Sequence, residues 1–299
     1  MTTQTAALIN LNNGVEMPVL GLGVFQSPPE ETVTAGVAAI DDGYRLIDTA
    51  AAYGNECEVG DSLRRSGIDR VQMFVTTKLW ISDYGYEQAL VAFDGCLRRL
   101  GLDYVDLFLL HHPVPSDFAS TVGAYKAAEK MLAEGRARAI GVSNFSSAHL
   151  ENLISQTSVV PAVNQVELHP FFIQQPLRDF HAAHGIVTQA WSPLGGVNRY
   201  RPADADAVEN PLEHPTIVEL ASKYGKTPAQ VVLRWHIEHG TSAIPKSVRL
   251  RRIKENFDVF DFALTPKEVA AIDALDTGTR GGPDPELIDP EHYPLKVEN

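Results

Sequence analysis

Four residues stand where chemistry could be done: Asp48, Tyr53, Lys78 and His111. Asp48, Lys78 and His111 each close or follow a short apolar run, and Tyr53 comes five residues after Asp48. Their types suit carbonyl reduction. A hydride arriving at a carbonyl carbon leaves negative charge on the oxygen, which then needs a proton and nearby donors. A phenol can supply that proton, although its reference pKa is about 10. A neighbouring ammonium stabilises the phenolate and lowers that value, which is the part expected of Lys78, with Asp48 holding Lys78 charged and oriented. His111 can donate to the carbonyl oxygen and hold it in place. None of the four is a good nucleophile. The absence of GxSxG and of a strand-end cysteine argues against covalent hydrolase chemistry. Taken singly, each residue has a plain structural explanation: a helix cap, a solvated charge, a satisfied core imidazole. Three apolar runs that all end in such a group, with a well-spaced Tyr, point to a site.

These residues meet only if their strands end side by side. The apolar runs Val19 to Leu22, Leu46 to Asp48, Met73 to Lys78, Tyr104 to Leu110, Ala137 to Val142, Ala162 to Val166, Ile186 to Ala190 and Thr241 to Ile244 predict eight strands. Amphipathic runs between and after them predict helices over Glu30 to Asp41, Glu56 to Ser66, Tyr86 to Leu100, Phe118 to Glu134, Ser146 to Ile154, Pro176 to His184, Pro215 to Tyr224, Pro228 to His239, Arg249 to Phe257 and Thr265 to Leu275. Ala7 to Leu11 and Glu16 to Val19, joined through Asn12-Asn13-Gly14, predict a leading β-hairpin. Alternating strands and helices give a parallel sheet with right-handed crossovers. Closure into a (β/α)8 TIM barrel, of the α/β class, is favoured over an open sheet. No GxGxxG follows the first strand, and reactive residues sit at many strand ends, where a barrel places its active site. With the hairpin and two extra helices, the whole of residues 1–299 is expected to form one domain, ending in an irregular tail over 277–299.

Composition agrees. The 299 residues are 44% hydrophobic and 21% charged, enough for a large core. The formal charge is −13, from 25 basic and 38 acidic side chains, which disfavours nucleic acid and anionic lipid. Cys57 and Cys96 form no CxxC pair and are expected to be reduced packing residues. The N-terminal residues lack a secretory pattern, and no run of residues reaches membrane-spanning length. A cytoplasmic location follows by elimination. The expected partner is a small-molecule carbonyl substrate, with no nucleic acid, no membrane and no metal, and the chain is expected to be a monomer.

The segment Gly43 to Ala50, followed by Tyr53-Gly54-Asn55-Glu56 and Gly60, resembles the first signature of the aldo-keto reductases. Lys78 in TTKLW and His111 in LLHHP resemble that family's catalytic Lys and His, and GVSNF (141–145), NQVELHP (164–170) and IPKS (244–247) resemble further motifs. The match runs in order from about Ile9 to Leu275 and is closest to the bacterial diketogluconate-reductase-like branch. The resemblance implies NADPH-dependent reduction of aldehydes and ketones, among them small keto-sugars and α-dicarbonyls. Asp48, Tyr53, Lys78 and His111 would be the catalytic tetrad, with Tyr53 as general acid. It assigns Ser143, Asn144 and Gln165 to the nicotinamide carboxamide and Trp191 to its ring face. The loop Ser192 to Gly196, including Leu194 and Gly195, is assigned to the pyrophosphate.

Lys246 to Arg252 is a basic run in an acidic protein, at a strand end entering a helix, which suits a phosphate. By resemblance, Lys246, Ser247 and Arg252 would hold the adenosine 2′-phosphate, and Glu255 and Asn256 would contact adenine. Val248 lies within the same run. Arg249 departs from the small hydroxyl residue common at its position and could add a phosphate contact. NADPH/NADP+ is therefore expected over NADH. His112 stands where many relatives carry Trp, making the pocket wall smaller and more polar. Phe25, Trp80 and His112, joined by the C-terminal tail, are the expected substrate contacts. Two alternatives remain: an accessory or sensor barrel that binds NADPH without turnover, and a metal-dependent barrel enzyme. The latter is disfavoured because His111 and His112 are adjacent and no HxH pair exists.

Overall fold

A computed structural model describes residues 6–195 and 210–298. The expected pyrophosphate loop is therefore described through Gly195, and Gly196 lies outside the described residues. Strands β1 (Leu8–Asn10) and β2 (Glu16–Pro18) pair antiparallel, with Leu8 opposite Pro18 and Asn10 opposite Glu16. Gly14 turns the chain at φ 84°, a conformation that costs a Cβ-free residue little. Asn12 Nδ2 and Asn13 Nδ2 donate to Pro161 O (3.1 Å) and Arg138 O (2.9 Å), so the hairpin caps the N-terminal end of the strands behind it. Leu11 and Met17 are buried there.

Eight parallel strands follow: β3 (Leu22–Gly23), β4 (Leu46–Asp48), β5 (Phe74–Leu79), β6 (Val105–Leu110), β7 (Ala137–Ser143), β8 (Val163–Glu167), β9 (Val187–Trp191) and β10 (Ser242–Ala243). Each pairs with the next in chain order. The ring closes where Leu20 bridges Ala243 and Gly23 bridges Lys246, both parallel. The sequence-based first and last strands are thus shorter as ladders than as apolar runs, because the seam is made of single bridges. On β6, Leu107 and Leu109 join Leu46, Phe74, Ala139 and Val163 inside the barrel, while Phe108 and Leu110 pack outward against helices.

Among the described residues ten α-helices accompany the eight strands, so two are additional to the one-per-strand pattern. They are α1 (Pro29–Asp42), α2 (Glu56–Ser66), α3 (Tyr86–Leu100), α4 (Phe118–Ala133), α5 (Ser147–Ile154), α6 (Gln175–His184), α7 (Pro215–Tyr224), α8 (Pro228–Glu238), α9 (Leu250–Phe257) and α10 (Pro266–Asp273). Capping boxes start three of them, at Ser146, Thr227 and Thr265. None is long and apolar enough to cross a membrane. Beyond α10 the chain returns across the barrel mouth. Trp80 Nε1 donates to Leu295 O (2.9 Å), and an Arg99 guanidinium nitrogen donates to Glu298 O (2.8 Å).

Candidate active site

Three adjacent strands and one loop deliver the expected tetrad to a single point. Asp48 ends β4, Lys78 lies at the end of β5, His111 follows β6, and Tyr53 closes a short 3-10 turn over Ala51–Tyr53. Lys78 is fully buried, and its Nζ uses all three of its hydrogens: on Asp48 Oδ1 (2.5 Å), Thr49 O (3.0 Å) and Tyr53 Oη (3.3 Å). Because the ammonium donates to Tyr53, the phenol's own hydrogen is left for another acceptor. The other oxygen of Asp48 accepts from Gln165 Nε2 (2.7 Å). The ring of His111 lies 5.6 Å from that of Tyr53 and 5.1 Å from that of Trp80, edge-on to both. Its Nδ1 is buried and has no hydrogen-bond partner among the described residues.

The electrostatics differ from the sequence-based expectation in one respect. Burial pushes the Tyr53 phenol well above its ordinary value, and the Asp48 carboxylate pushes it further. The expected lowering by Lys78 does not prevail, because removing a phenolate from water costs more than one nearby ammonium returns. Burial likewise raises Asp48, against the pull of Lys78 and Gln165, and lowers Lys78, against the pull of Asp48. Burial, helped by His112 and Lys78, keeps His111 well below the ordinary imidazole range, so it is neutral. At neutral pH the pocket therefore presents a protonated phenol and an uncharged imidazole.

A cavity of about 290 Å³ opens onto these groups. Phe25, Trp80, His112, Ser143, Asn144, Gln165, Trp191, Ser192 and Lys246 all line it, so every expected carboxamide ligand and substrate contact reaches one space. Ser146, not Ser143 or Asn144, caps α5, which removes the capping explanation for the latter two. Gln165 Nε2 is committed to Asp48 Oδ2 and Gln189 Oε1, both at 2.7 Å, leaving its oxygen as the acceptor it can offer. Asn144 takes a left-handed backbone conformation, φ 65°, which Asn tolerates better than most residues. Its Oδ1 accepts from Trp191 Nε1 (2.8 Å).

The basic run begins at the same cavity, which Lys246 lines. Ser247 Oγ accepts from Arg249 N (3.1 Å) as the chain enters α9. Arg249, Arg251 and Arg252 are exposed, Leu194 and Val248 are half-buried, and Gly195 and Asn256 are buried. Arg251 pairs with Glu255 (2.7 Å), so the residue expected at adenine also holds its neighbouring cation. Free amides at a helix start, three guanidinium groups and Lys246 make a donor set suited to a phosphomonoester. An amide-reading trio beside an indole suits a nicotinamide. The residues present therefore fit the expected dinucleotide.

Sequence reasoning missed several supports. Glu56 accepts from Thr77 Oγ1 (2.5 Å) and Arg99 Nε (2.7 Å) beneath the tetrad. Tyr84 Oη donates to His112 O (2.5 Å). Glu167, buried at the end of β8, accepts from the backbone N–H groups of Gly281 (2.7 Å) and Gly282 (2.8 Å). Pro283, Tyr293 and Leu295 of the tail line the cavity. The sequence offered the tail as a substrate contact but not these residues of it, and it held no sign of the other supports. Among the described residues no three His, Cys, Asp or Glu side chains are grouped as a metal would require.

Comparison with known proteins agrees with this geometry. The profile of the Aldo/keto reductase family matches residues 19–277. A morphine 6-dehydrogenase of Pseudomonas putida is 56% identical over 287 residues, covering 96% of this chain and 97% of the relative. A methylglyoxal reductase of Escherichia coli K12 is 46% identical, covering 93% and 97%. The crystal structure of a Bombyx mori aldo-keto reductase in complex with NADP superposes with a TM-score of 0.87 at 34% identity, covering 97% of each chain. By sequence, fold and the arrangement of its barrel mouth, this chain belongs to the aldo/keto reductase family.

Proposed function

We propose that this oxidoreductase reduces small aldehydes and ketones to alcohols, using NADPH and the proton of Tyr53. The observation that carries the reading is the buried triangle in which Lys78 Nζ bridges Asp48 and Tyr53 Oη. Ser143, Asn144, Gln165 and Trp191 would hold the nicotinamide end, and Ser192, Leu194 and Gly195 the pyrophosphate. Lys246, Ser247, Val248, Arg249, Arg252, Glu255 and Asn256 would hold the adenosine end. The bound cofactor would supply the hydride.

The chain's own residues do the rest. Tyr53 keeps its proton at neutral pH because burial opposes ionisation, and it can release it to an alkoxide-like oxygen, a far stronger base than water. Lys78, donating to Tyr53 Oη, stabilises the phenolate left behind. His111, neutral, positions the carbonyl oxygen by donation rather than by charge. Phe25, Trp80 and His112 form the substrate wall, and the tail narrows the entrance. Relatives named glyoxal reductase and methylglyoxal reductase support α-dicarbonyls as substrates, beside the keto-sugars and simple aldehydes expected from sequence. The monomeric state and cytoplasmic location expected from sequence belong to the same reading.

The test is Tyr53→Phe, which removes one hydroxyl and keeps the ring. NADPH oxidation with methylglyoxal should fall by about 10² to 10⁴, while NADPH binding, read by fluorescence, stays within a few fold. Undiminished turnover would refute the proton-donor role.

A further inference from the structure

We infer that His112 is a second, direction-fixed hydrogen-bond donor to substrate, selecting carbonyl compounds that carry another oxygen on the adjacent carbon; this rests on the reductase reading above. The inference begins at Asn144. An indole N–H can only donate, so the Trp191 Nε1 contact at 2.8 Å identifies the Asn144 oxygen. A backbone carbonyl can only accept, so the His111 O contact at 3.0 Å identifies the Asn144 nitrogen. The amide cannot be flipped without breaking both. Its NH2 group then faces His112 Nδ1 at 3.2 Å and, sharing a hydrogen, Ser143 Oγ at 3.1 Å, whose own proton goes to Gln165 O. Nδ1 must be the lone-pair nitrogen, because a proton there would set donor against donor. The remaining proton of the neutral ring therefore sits on Nε2.

The rest of the surroundings hold that ring still. Its backbone is pinned on both sides by Tyr84 Oη, which donates to His112 O (2.5 Å) and accepts from His112 N (3.3 Å). Its plane is parallel to that of His111 within 4°, with centroids 5.0 Å apart, and the Trp80 ring stands nearly perpendicular to it with its centroid 5.7 Å away. His112 lines the same cavity as Tyr53 and His111. Two parallel imidazoles thus stand side by side over one pocket. If His111 engages the carbonyl being reduced, the Nε2–H of His112 is placed for an oxygen one carbon away. Burial and Lys78 keep the ring uncharged, with its pKa lowered to about 3. A neutral donor matches a ketone, aldehyde or hydroxyl oxygen better than a carboxylate. α-Dicarbonyls and α-hydroxycarbonyls have that pattern, and simple aldehydes lack it. A buried donor with no acceptor penalises the substrate that leaves it unpaired.

The full-length chain with NADPH should be assayed on methylglyoxal and propanal, a pair differing by one oxygen at the adjacent carbon. The readout is the ratio of their kcat/KM values, from which any common effect on folding or cofactor binding cancels. His112→Phe should lower that ratio at least about tenfold. His112→Gln, which can place an N–H near the Nε2 position, should restore most of it. An unchanged ratio in His112→Phe would overturn the inference. So would a 15N spectrum of the wild-type chain placing the His112 proton on Nδ1. Failure of the underlying reading looks different: the wild-type chain would consume NADPH with neither aldehyde.

Discussion

The tetrad and the basic run that begins beside it are built on opposite principles. At the reacting end Lys78 is fully buried, Asp48 nearly so, and each polar group of the pair is matched before any ligand arrives. At the end proposed for the phosphate, Arg249, just before α9, and Arg251 and Arg252 in its first turn reach into solvent. The difference follows from what each end must do. Proton transfer to a nascent alkoxide gains from donors already oriented in a dry site, where each is worth more than in water. A phosphate brings its own charge and needs only cations that can close on it. Exposed cations cost the apo fold little, since surface ion pairs contribute about 0 to 1 kcal/mol. Stability and catalysis should therefore be coupled at the first end and separable at the second.

The strongest way to break that comparison is Lys78→Met. It leaves Asp48 buried without its cation, a change that typically costs about 3–5 kcal/mol, and it removes the stabiliser of the Tyr53 phenolate. Urea denaturation should show the stability loss alongside loss of NADPH oxidation. Adding Asp48→Asn should recover much of the stability and none of the activity. Recovery of both would mean that the ion pair serves the fold alone.

At the other end Arg252→Ala should weaken NADPH by about 10- to 100-fold, the size of a lost charge-assisted hydrogen bond. NADH binding should change little, and stability should stay within about 0.5 kcal/mol. NADPH affinity should also fall with added salt, because these cations are exposed and screened. Equal weakening of NADH and NADPH would show that Arg252 does not read the 2′-phosphate.

The reacting end was also the more legible from sequence, for a physical reason. Asp48, Lys78 and His111 announce themselves because each polar side chain interrupts an apolar strand, and strand ends in a barrel converge by topology. The basic run stood out against an acidic background. The direction of the Tyr53 shift was not legible, since a sequence records the neighbouring charge but not the depth of burial that outweighs it. Nor was the tail. Glu167 grips it through the backbone N–H groups of residues 281 and 282, which carry no side-chain signature, across more than a hundred positions. His112 was visible as an unusual residue, but its donor direction depends on Asn144, more than thirty positions away.

The tail supplies a third, intermediate test, because it packs on Trp191, the proposed nicotinamide platform, from a distant segment. A Cβ on Gly282 would lie 2.4 Å from Trp191 Cη2 and 2.9 Å from Glu167 Oε2. Gly282→Ala must therefore shift either the indole or the clasp, at an overpacking cost of about 1–3 kcal/mol. The expected result is an altered tryptophan emission and roughly tenfold weaker NADPH binding, with Tyr53 chemistry intact in saturating cofactor. Wild-type affinity in this variant would uncouple the tail from Trp191.

The smallest expected effect concerns histidines away from the site. His181 is held like His112. Asn164 Oδ1 accepts from Phe145 N (3.4 Å) and Asn164 Nδ2 donates to Phe145 O (2.8 Å), which orients the amide so that His181 Nε2, at 2.9 Å, accepts from Nδ2. Its Nδ1–H then donates to Thr188 Oγ1 (2.8 Å). His236, fully buried, donates to Pro193 O (3.0 Å). Burial lowers His181 to about 4 and His236 to about 3, whereas in the unfolded chain both titrate near about 6.5. Below that value the unfolded state binds protons that the native state refuses, so stability falls as pH drops and is flat above about 7.5. Between pH 7.5 and 6 each group should remove a little under about 1 kcal/mol, before carboxylates begin to titrate. Urea midpoints across that window measure the slope, and His181→Gln, which keeps an acceptor for Asn164, should reduce it by one proton's worth. An unchanged slope would mean that His181 takes up its proton in the folded chain as readily as in the unfolded one, and the orientation argued for its Asn164 partner would then be wrong.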